Sequence, residues 1–201
     1  MPAGLKVGNE EFPAEQIAAC AYTSAVSAQA GRNGDALLSG LQLVNVFVVN
    51  GQAVSSAGYE LKLAWLDAFT VWLRERFDPR WPLLVVGDFN VAPTDLEVHD
   101  PARWRGLNLC SAPERARIDA LLEWGLVNLL RLRDPGPGPF TFWDYREEAF
   151  HRGWGLRLDL ALATQPVGER CTGVRVDHEE CRPTSGSGKP SDHAPMIVTL
   201  T

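Results

Sequence analysis

The sequence lacks the features that would place the protein in a membrane or outside the cell. It has no run of about 18 apolar residues, so no transmembrane helix is expected. Residues Met1 to Lys6 lack the apolar core of a signal peptide. The 4 cysteines are scattered without a C-x-x-C pair, which predicts free thiols instead of a zinc site or a disulfide framework. These absences together predict a cytoplasmic protein with no membrane partner.

A surplus of basic residues is also missing. The formal net charge of −6 does not favour a nucleic-acid partner, which usually shows as a basic surplus or stripe. It does not exclude such a partner, because a metal cation in an acidic cleft can contact a phosphate. Net charge therefore leaves DNA open as a partner.

The composition is that of one folded domain. The 201 residues suffice for a sizeable core, and the apolar content of 45% and charged content of 22% are those of a globular protein. No repeat or linker divides the chain, so residues 1–201 are predicted to form a single domain. Strands mix irregularly with helices, which favours an α+β fold over a regular β-α-β series.

Helical patterns occur in three places. Apolar residues at three- and four-residue spacing predict a helix from Tyr59 to Phe77. The sequence Ser111-Ala-Pro-Glu114 fits a capping box, so a second helix is expected to begin there and to end near Gly125. Residues Glu10 to Ala21 are also predicted as a helix, because acidic residues occupy its first turn.

The polar pair Asp88 and Asn90 follows a short apolar run. Leu83 to Val86 is typical of a strand buried on both faces, and Gly87 ends it. If the chain stays extended, the two side chains share one face, where they can bind a hard cation or orient a water beside a phosphate. The alternative is a turn in which Asp88 and Asn90 cap their own backbone, and both interpretations stay open here.

A second candidate lies within an alternating stretch. From Leu156 to Ala163 the leucines occupy one face of a predicted strand, and Arg157 and Asp159 share the other face. An aspartate in the middle of a strand is uncommon. It forms either a solvent-facing salt bridge with Arg157 or part of a functional site on that face.

The third candidate is the adjacent pair Asp192 and His193, between Pro190 and Pro195. A Gly/Ser-rich loop precedes the pair, and Met196 to Leu200 is predicted as a closing strand after it. The pair belongs either to an ordinary loop with a capping aspartate or to the same site as the two candidates above.

These candidates together supply three carboxylates, one amide and one imidazole. Carboxylates can hold a Mg²⁺ ion that neutralises charge on a phosphate. An aspartate can deprotonate or position an attacking water, and a histidine oriented by a carboxylate can donate to a phosphate oxygen. The set is therefore suited to phosphodiester hydrolysis.

Four motifs in order along the chain carry a resemblance to a known family. They are Gly87-Asp-Phe-Asn-Val-Ala-Pro-Thr-Asp95, Phe140-Thr-Phe-Trp-Asp-Tyr-Arg146, Gly155-Leu-Arg-Leu-Asp159 and Pro190-Ser-Asp-His-Ala-Pro195. In these motifs the chain resembles the exonuclease III class of the exonuclease–endonuclease–phosphatase superfamily. The resemblance implies a four-layer α/β/β/α sandwich of the DNase I-like kind. It also implies a Mg²⁺- or Mn²⁺-dependent hydrolase that cleaves DNA beside abasic sites and removes nucleotides from 3′ ends.

The resemblance further implies catalytic and metal-binding roles. Asp88 and Asn90 would orient the attacking water and the phosphate. Asp159 would orient His193 or carry a proton, and His193 would stabilise the phosphate in the transition state. The metal ligands would be Asp192, Asp88 and Asn90.

Substrate contacts are implied in the same way. Asn50 matches a position that contacts phosphate. Arg32 is a candidate on separate grounds, as a cation near the expected cleft that could contact DNA, although scattered surface cations are usually only solvated. Phe142 and Leu156 would pack against an abasic sugar, with Trp154 as a nearby substitute. Phe142 and Leu156 fit a hydrophobic core equally well.

The N-terminal third departs from the family pattern. The family's first strand and helix have no counterpart, and Gly4 stands where a metal-ligating glutamate is expected. Phe47 replaces the catalytic tyrosine and lacks its hydroxyl. A sheet left incomplete would expose an unpaired edge, through which the chain could self-associate.

Three functional hypotheses follow from this pattern. The first is a metal-dependent DNA-repair nuclease of the exodeoxyribonuclease III type. The alternative is a catalytically impaired remnant that binds DNA or a protein partner. The third is a phosphatase of the same superfamily.

Overall fold

A computed structural model describes residues 5–7, 10–12, 40–182 and 190–201 of the protein. Eight strands form three sheets in this part of the chain. Two short strands pair antiparallel: β1 (Leu5–Val7) and β2 (Glu10–Phe12). A four-stranded sheet has the spatial order β3-β4-β6-β5 and contains β3 (Gln42–Phe47), β4 (Leu83–Asp88), β5 (Leu126–Asn128) and β6 (Asp159–Thr164). An antiparallel pair follows, β7 (Cys171–Val176) and β8 (Met196–Leu200).

Six α-helices connect these strands in the described ranges. They are α1 (Ala57–Arg76), α2 (Pro101–Trp104), α3 (Ala112–Trp124), α4 (Leu129–Arg133), α5 (Ala149–Arg152) and α6 (Gln165–Arg170). Short 3₁₀ turns lie at Asp95–Glu97, Arg146–Glu148 and His178–Cys181. No helix in these ranges is long and apolar enough to cross a bilayer.

The two main helices form where the sequence predicts them. The side chain of Ser56 caps α1 by accepting a hydrogen bond from the backbone N–H of Tyr59 at 3.1 Å. The predicted capping box at Ser111 and Glu114 is present at the start of α3. Gly125 ends α3 with φ of +127°, a conformation that glycine adopts without strain.

The four-stranded sheet is buried on both faces, as the apolar run in β4 predicts. Leu83 and Val85 pack among the apolar residues of α1 and α3, in one core. Leu84 packs in a second core with residues of β7 and β8 on the opposite face. A helical layer, the four-stranded sheet and the β7–β8 sheet therefore stack as three layers of an α+β fold.

The helix predicted from Glu10 to Ala21 is wrong at its start. Residues Glu10–Phe12 form a strand that pairs antiparallel with Leu5–Val7, and residues 13–21 lie outside the described residues. Cross-strand hydrogen bonds overrode the local preference of the acidic residues for a helix start. The sequence signal for this pairing is the Gly8-Asn9 dipeptide between the two short segments, which is typical of a hairpin.

Arg157 is not the solvent-facing partner that the alternating pattern allows. Strand β6 begins only at Asp159, and the Arg157 side chain is fully buried against Glu97. The same Glu97 oxygen accepts a hydrogen bond from Arg131 Nε at 2.5 Å, and Thr94 Oγ1 donates to the other oxygen at 2.6 Å. The interpretation as an exposed salt bridge is therefore wrong, because the Arg157 backbone N–H donates to Glu97 O at 2.9 Å and its side chain is buried against the same residue.

These contacts change the acidity of Glu97. Burial raises its pKa, but the charge of Arg157 and the hydrogen bonds from Thr94, Arg131 and Arg157 outweigh that effect. The pKa of Glu97 is therefore lowered below its usual 4.5.

One edge of the four-stranded sheet is formed by β3 among the described strands, since β3 pairs there only with β4. The prediction that an incomplete sheet causes self-association is not tested by this arrangement and stays a prediction.

We predict that Glu97→Gln makes the free energy of unfolding less dependent on pH in the acidic range. At pH 7 the variant should be about 3–5 kcal/mol less stable, because Arg157 is left buried without a counter-charge. Below pH 4.5 the wild type progressively loses the stability that ionised Glu97 contributes, so the gap between the two proteins should narrow. Urea unfolding from pH 7 to pH 3.5 measures this gap.

The matched control is Glu75→Gln, which removes an exposed carboxylate from α1. This control should follow the wild type at every pH. A constant gap between wild type and Glu97→Gln across the pH range would show that the ionisation of Glu97 does not stabilise the fold.

Candidate active site

Strand pairing brings two predicted site carboxylates together. Strands β4 and β6 are antiparallel, and their register places Asp88 opposite Asp159 at the end of the ladder. Residues opposite each other in such a pair have Cβ atoms about 5 Å apart. Gly87 permits this arrangement, because at its φ of +130° a Cβ would lie 2.0 Å from the carbonyl oxygen of Val46.

Asn90 folds back onto Asp88 in a tight turn. Its φ is +50°, a region that asparagine enters more easily than most residues. Its backbone N–H donates to Asp88 Oδ1 at 2.8 Å, and its side-chain amide donates to Asp88 Oδ2 and to the carbonyl oxygen of Val48, each at 2.8 Å. The backbone-capping turn is therefore present, and it also holds the two side chains together as the site interpretation requires.

His193 reaches this carboxylate pair from the C-terminal segment. The segment pairs with the aromatic motif, since His193 and Phe142 form an antiparallel bridge and Ala194 N–H donates to Thr141 O at 2.8 Å. The imidazole Nδ1 lies 2.8 Å from Asp159 Oδ2, and Nε2 lies 4.0 Å from Asp88 Oδ2. Asp159 therefore orients the ring so that its other nitrogen faces Asp88.

The protonation of these groups reflects their crowding. Burial, reinforced by the charge of Asp159, raises the pKa of Asp88 to about 6, although His193 and Lys62 oppose the change. Burial lowers the pKa of His193, but the hydrogen bond and charge of Asp159 and the charges of Asp88 and Asp192 outweigh it, so the net shift is upward. An acid and a base that both have raised pKa values thus lie side by side.

These three residues could hold a metal ion. Ligand atoms of Asp88, Asp159 and His193 all lie within 4.8 Å of one another. The donor set fits a hard divalent cation such as Mg²⁺, because the two carboxylates can balance its charge with oxygen ligands. Asp88 and Asp159 would be the natural ligands.

Asp192 is not a member of that group. Its backbone carbonyl accepts a hydrogen bond from Trp143 N–H at 3.0 Å, and it lines a neighbouring pocket with Trp143 and Tyr145. Its charge still contributes to the raised pKa of His193. Its role as a metal ligand stays a prediction.

A buried ion pair that the sequence pattern missed lies behind the site. Lys62 of α1 and Glu114 of α3 are both fully buried and form a salt bridge. Lys62 Nζ also donates to the carbonyl oxygens of Asn90 at 2.6 Å and Asn50 at 3.2 Å. Burial lowers the pKa of Lys62, and Glu114 opposes that shift. The sequence feature that could have revealed this ion pair is the position of Lys62 on the apolar stripe of α1, because burying an unpaired cation there would be costly.

The Glu114 carboxylate also accepts hydrogen bonds from the backbone at the start of α3. Glu114 accepts from Leu109 N–H at 3.0 Å and from Ser111 N–H at 3.0 Å. Tyr59 Oη lies 2.6 Å from Ser111 Oγ. The capping box of α3 thus also provides the counter-charge for Lys62 and fixes the loop before α3.

The predicted substrate residues divide into three groups. Asn50 lies in the site, where its amide donates to Asn90 Oδ1 at 3.1 Å. Phe142 lies beside His193, with ring centroids 5.1 Å apart, whereas Leu156 is buried in a core and Trp154 faces a separate pocket. Arg32 lies outside the described residues.

The two predicted departures from the family pattern have different outcomes. Phe47 is paired in register with Asp88, across the β3–β4 ladder, and its side chain is half exposed. Gly4 lies outside the described residues.

Comparison with known proteins agrees with this geometry. The family model described as Endonuclease/Exonuclease/phosphatase family matches residues 8–193. Exodeoxyribonuclease III of Haemophilus influenzae is 30% identical over 167 residues, which are 78% of this chain and 60% of that protein.

Two solved structures are similar as well. A 3′-5′ exonuclease from Neisseria meningitidis superposes with a TM-score of 0.75 at 36% identity, and an AP endonuclease from Archaeoglobus fulgidus with 0.74 at 34% identity. Each match covers 81% of this chain and 62% of the other chain. The chain therefore spans about three fifths of the length of these relatives.

The layered sheets and the polar cluster at their strand ends define a DNase I-like α+β protein. Within that class, the chain belongs to the endonuclease/exonuclease/phosphatase family.

We predict strong energetic coupling between Lys62 and Glu114. Lys62→Met should destabilise the fold by about 3–5 kcal/mol, because Glu114 is left charged and buried. The double variant Lys62→Met with Glu114→Gln should cost less than the sum of the two single changes, by about 1–3 kcal/mol. Urea unfolding of the four proteins in a double-mutant cycle measures the coupling, and strictly additive effects would contradict it.

Proposed function

We propose that the protein is a metal-dependent DNA-repair nuclease that hydrolyses phosphodiester bonds beside abasic sites and at 3′ ends. The convergence of Asp88, Asp159 and His193 at one sheet end is the observation that carries this proposal. The similar proteins are an exodeoxyribonuclease III, an AP endonuclease and a 3′-5′ exonuclease, which supports the choice of DNA as substrate.

Asp88 is suited to take a proton from the attacking water. Its pKa of about 6 makes it largely ionised at neutral pH and still basic enough to accept a proton. The gap of 4.0 Å between Asp88 Oδ2 and His193 Nε2 is too long for a direct hydrogen bond. A single oxygen atom about 2.8 Å from both would bridge it, so a water or a phosphate oxygen can be bound there.

His193 is suited to stabilise the charge that develops on the phosphate. Its Nδ1–H donates to Asp159, and its raised pKa favours the imidazolium, whose Nε2–H faces the gap. As the water oxygen bonds to phosphorus and the phosphorus–O3′ bond breaks, this N–H can donate to a phosphate oxygen. Asp159 acts by keeping the ring oriented and charged.

Asp88 and Asp159 are the residues that would hold Mg²⁺ or Mn²⁺, with Asn90 and Asp192 as the further candidates from the sequence. When bound, such an ion neutralises charge on the phosphate. Asn90 would act by holding Asp88 in place, and Asn50 would orient the phosphate through its amide. Lys62 fixes both residues from behind through their backbone carbonyls.

We further propose that the protein acts in the cytoplasm. The described cysteines Cys110, Cys171 and Cys181 are buried free thiols, as expected in a reducing compartment. Burial raises the pKa of Cys110 to about 12 and that of Cys181 to about 11, so neither is a reactive thiolate.

We predict metal-dependent incision of a duplex that carries one synthetic abasic site. The wild type should cut it with Mg²⁺ or Mn²⁺ and not with EDTA. Asp88→Asn and His193→Gln should each lower the incision rate by about 10²–10⁴-fold, because each removes a group that moves or stabilises a proton in the transition state. Gel analysis of an end-labelled strand measures the rate.

Asp78→Asn is the control, since Asp78 lies in the turn after α1 and, among the described residues, its carboxylate pairs with the exposed Arg80. It should cut at the wild-type rate. A folded wild type that does not cut in any metal would contradict the nuclease proposal. Release of phosphate from a 3′-phosphate end without incision would instead favour the superfamily phosphatase.

A second candidate function is DNA or partner binding without cleavage. It is favoured by Phe47, which stands opposite Asp88 in the β3–β4 ladder with its side chain 49% exposed. A phenyl ring at this place presents no hydroxyl to a substrate, so one group expected from the family resemblance is missing.

Phe47→Tyr tests that candidate directly. The new hydroxyl should raise the incision rate on the order of tenfold, as one added hydrogen-bond donor to the transition state. Stability should stay the same, because the ring is half exposed and needs no repacking. Phe47→Leu is the control, since it changes the ring without adding a donor. An unchanged rate in Phe47→Tyr would show that this position does not limit catalysis.

A further inference from the structure

A polar pocket of about 460 Å³ opens on the protein surface, apart from the candidate active site. It lies between helix α2 and the loop after helix α5. Its walls include His99, Asp100, Arg103, Arg152 and Trp154. We call it the Trp154 pocket.

The guanidinium groups of Arg103 and Arg152 both lie near the indole ring of Trp154 in this pocket. The Cζ atom of Arg152 lies 4.6 Å from the ring centroid, and that of Arg103 lies 5.7 Å from it. His99 stacks on the same ring, with centroids 6.0 Å apart and planes 15° from parallel. The aromatic ring therefore holds two guanidinium groups in place by cation–π contact.

The guanidinium donors of these two arginines remain available. In the described part of the chain, neither side chain takes part in a salt bridge or donates a hydrogen bond to protein. By contrast, Arg115, Arg131 and Arg157 are paired with carboxylates. The nearby Asp100 carboxylate accepts a hydrogen bond from the backbone N–H of Arg103 at 3.1 Å. Both side chains are exposed, so their guanidinium donors face solvent near one ring and can bind an anion there.

The pocket lies a short distance from the catalytic residues. Val98, Leu156, Phe142 and His193 are joined by successive antiparallel bridges, so four neighbouring backbone segments connect the pocket wall to the imidazole. Neighbouring segments lie about 4.8 Å apart, which places the pocket roughly 10–15 Å from His193. A DNA strand rises about 3.4 Å per nucleotide, so this distance corresponds to a few nucleotides.

We propose that the Trp154 pocket binds a backbone phosphate of the DNA strand, a few nucleotides from the phosphate that is cleaved. This inference rests on the proposed function as a DNA nuclease. Arginine forks match phosphate oxygens in pairs of hydrogen bonds, and the indole keeps both forks oriented. The protein carries a net charge of −6 and two carboxylates at the reaction centre, so a local pair of free cations has a clear role in holding an anionic substrate.

The test is DNA binding without cleavage. A fluorescent duplex with one abasic analogue is titrated in EDTA by anisotropy at 50 to 200 mM salt. The double variant Arg103→Ala with Arg152→Ala should bind at least about tenfold more weakly at the lowest salt. The slope of log K against log salt should become smaller by about 1, the value for one lost phosphate contact.

The control is the double variant Arg74→Ala with Arg76→Ala, which removes two cations from α1. Arg76 lies 5.4 Å from the ring of Trp72, so it has the same cation–π geometry outside the pocket. This control should keep the wild-type affinity and slope. Thermal melts of both double variants confirm that they are folded.

Each outcome decides the inference. A slope and affinity equal to wild type in the pocket variant would overturn it, and so would an equal loss in the control variant. The incision assay on the wild type is read separately. If the pocket variant loses affinity while the wild type does not cut, the pocket inference holds and the nuclease proposal fails.

Discussion

The antiparallel register of β4 and β6 is the constraint on which the site depends. It places Asp88 opposite Asp159 at a sheet end, where burial and mutual repulsion both act on the pair. The imidazole of His193 partly offsets this repulsion, since it donates to one carboxylate and faces the other. A shift of one residue in this register would turn one carboxylate to the opposite face of the sheet and separate the pair.

Two buried charge clusters keep the loops around this pair in place. Lys62 and Glu114 tie α1 to α3 and fix the carbonyls of Asn50 and Asn90. Glu97 and Arg157 tie the Asp95–Glu97 turn to the segment that enters β6. Burying such charges is costly, and the attraction between partners offsets the cost only with good geometry. Each cluster holds a segment that leads to a site residue, so its geometry helps to set the shape of the site.

Sequence patterns correctly predicted the elements that depend on residues close together in the chain. The stripe of α1, the capping box at Ser111 and the closing strand Met196–Leu200 depend on residues near one another in the chain, and all three are confirmed. The sequence motifs also contain Asp88, Asp159 and His193, whose side chains lie close together in the fold. The pattern could not foresee that Arg157 is buried, because its partner Glu97 lies 60 residues away. It could not foresee the role of Lys62 for the same reason, since Glu114 lies on another helix.

Some properties therefore follow from the order of residues alone, and others only from folding. The sequence by itself determined the α+β class, the two main helices and the chemical types of the site groups, because periodicity, capping and side-chain chemistry are local. Only the tertiary structure decided that Asp159 contacts the imidazole, that Asn90 closes onto Asp88 and that two arginines share Trp154. Strand register, turns and loops bring together the chain segments that make these contacts. The distances that determine pKa values and ligand binding therefore exist only in the folded protein.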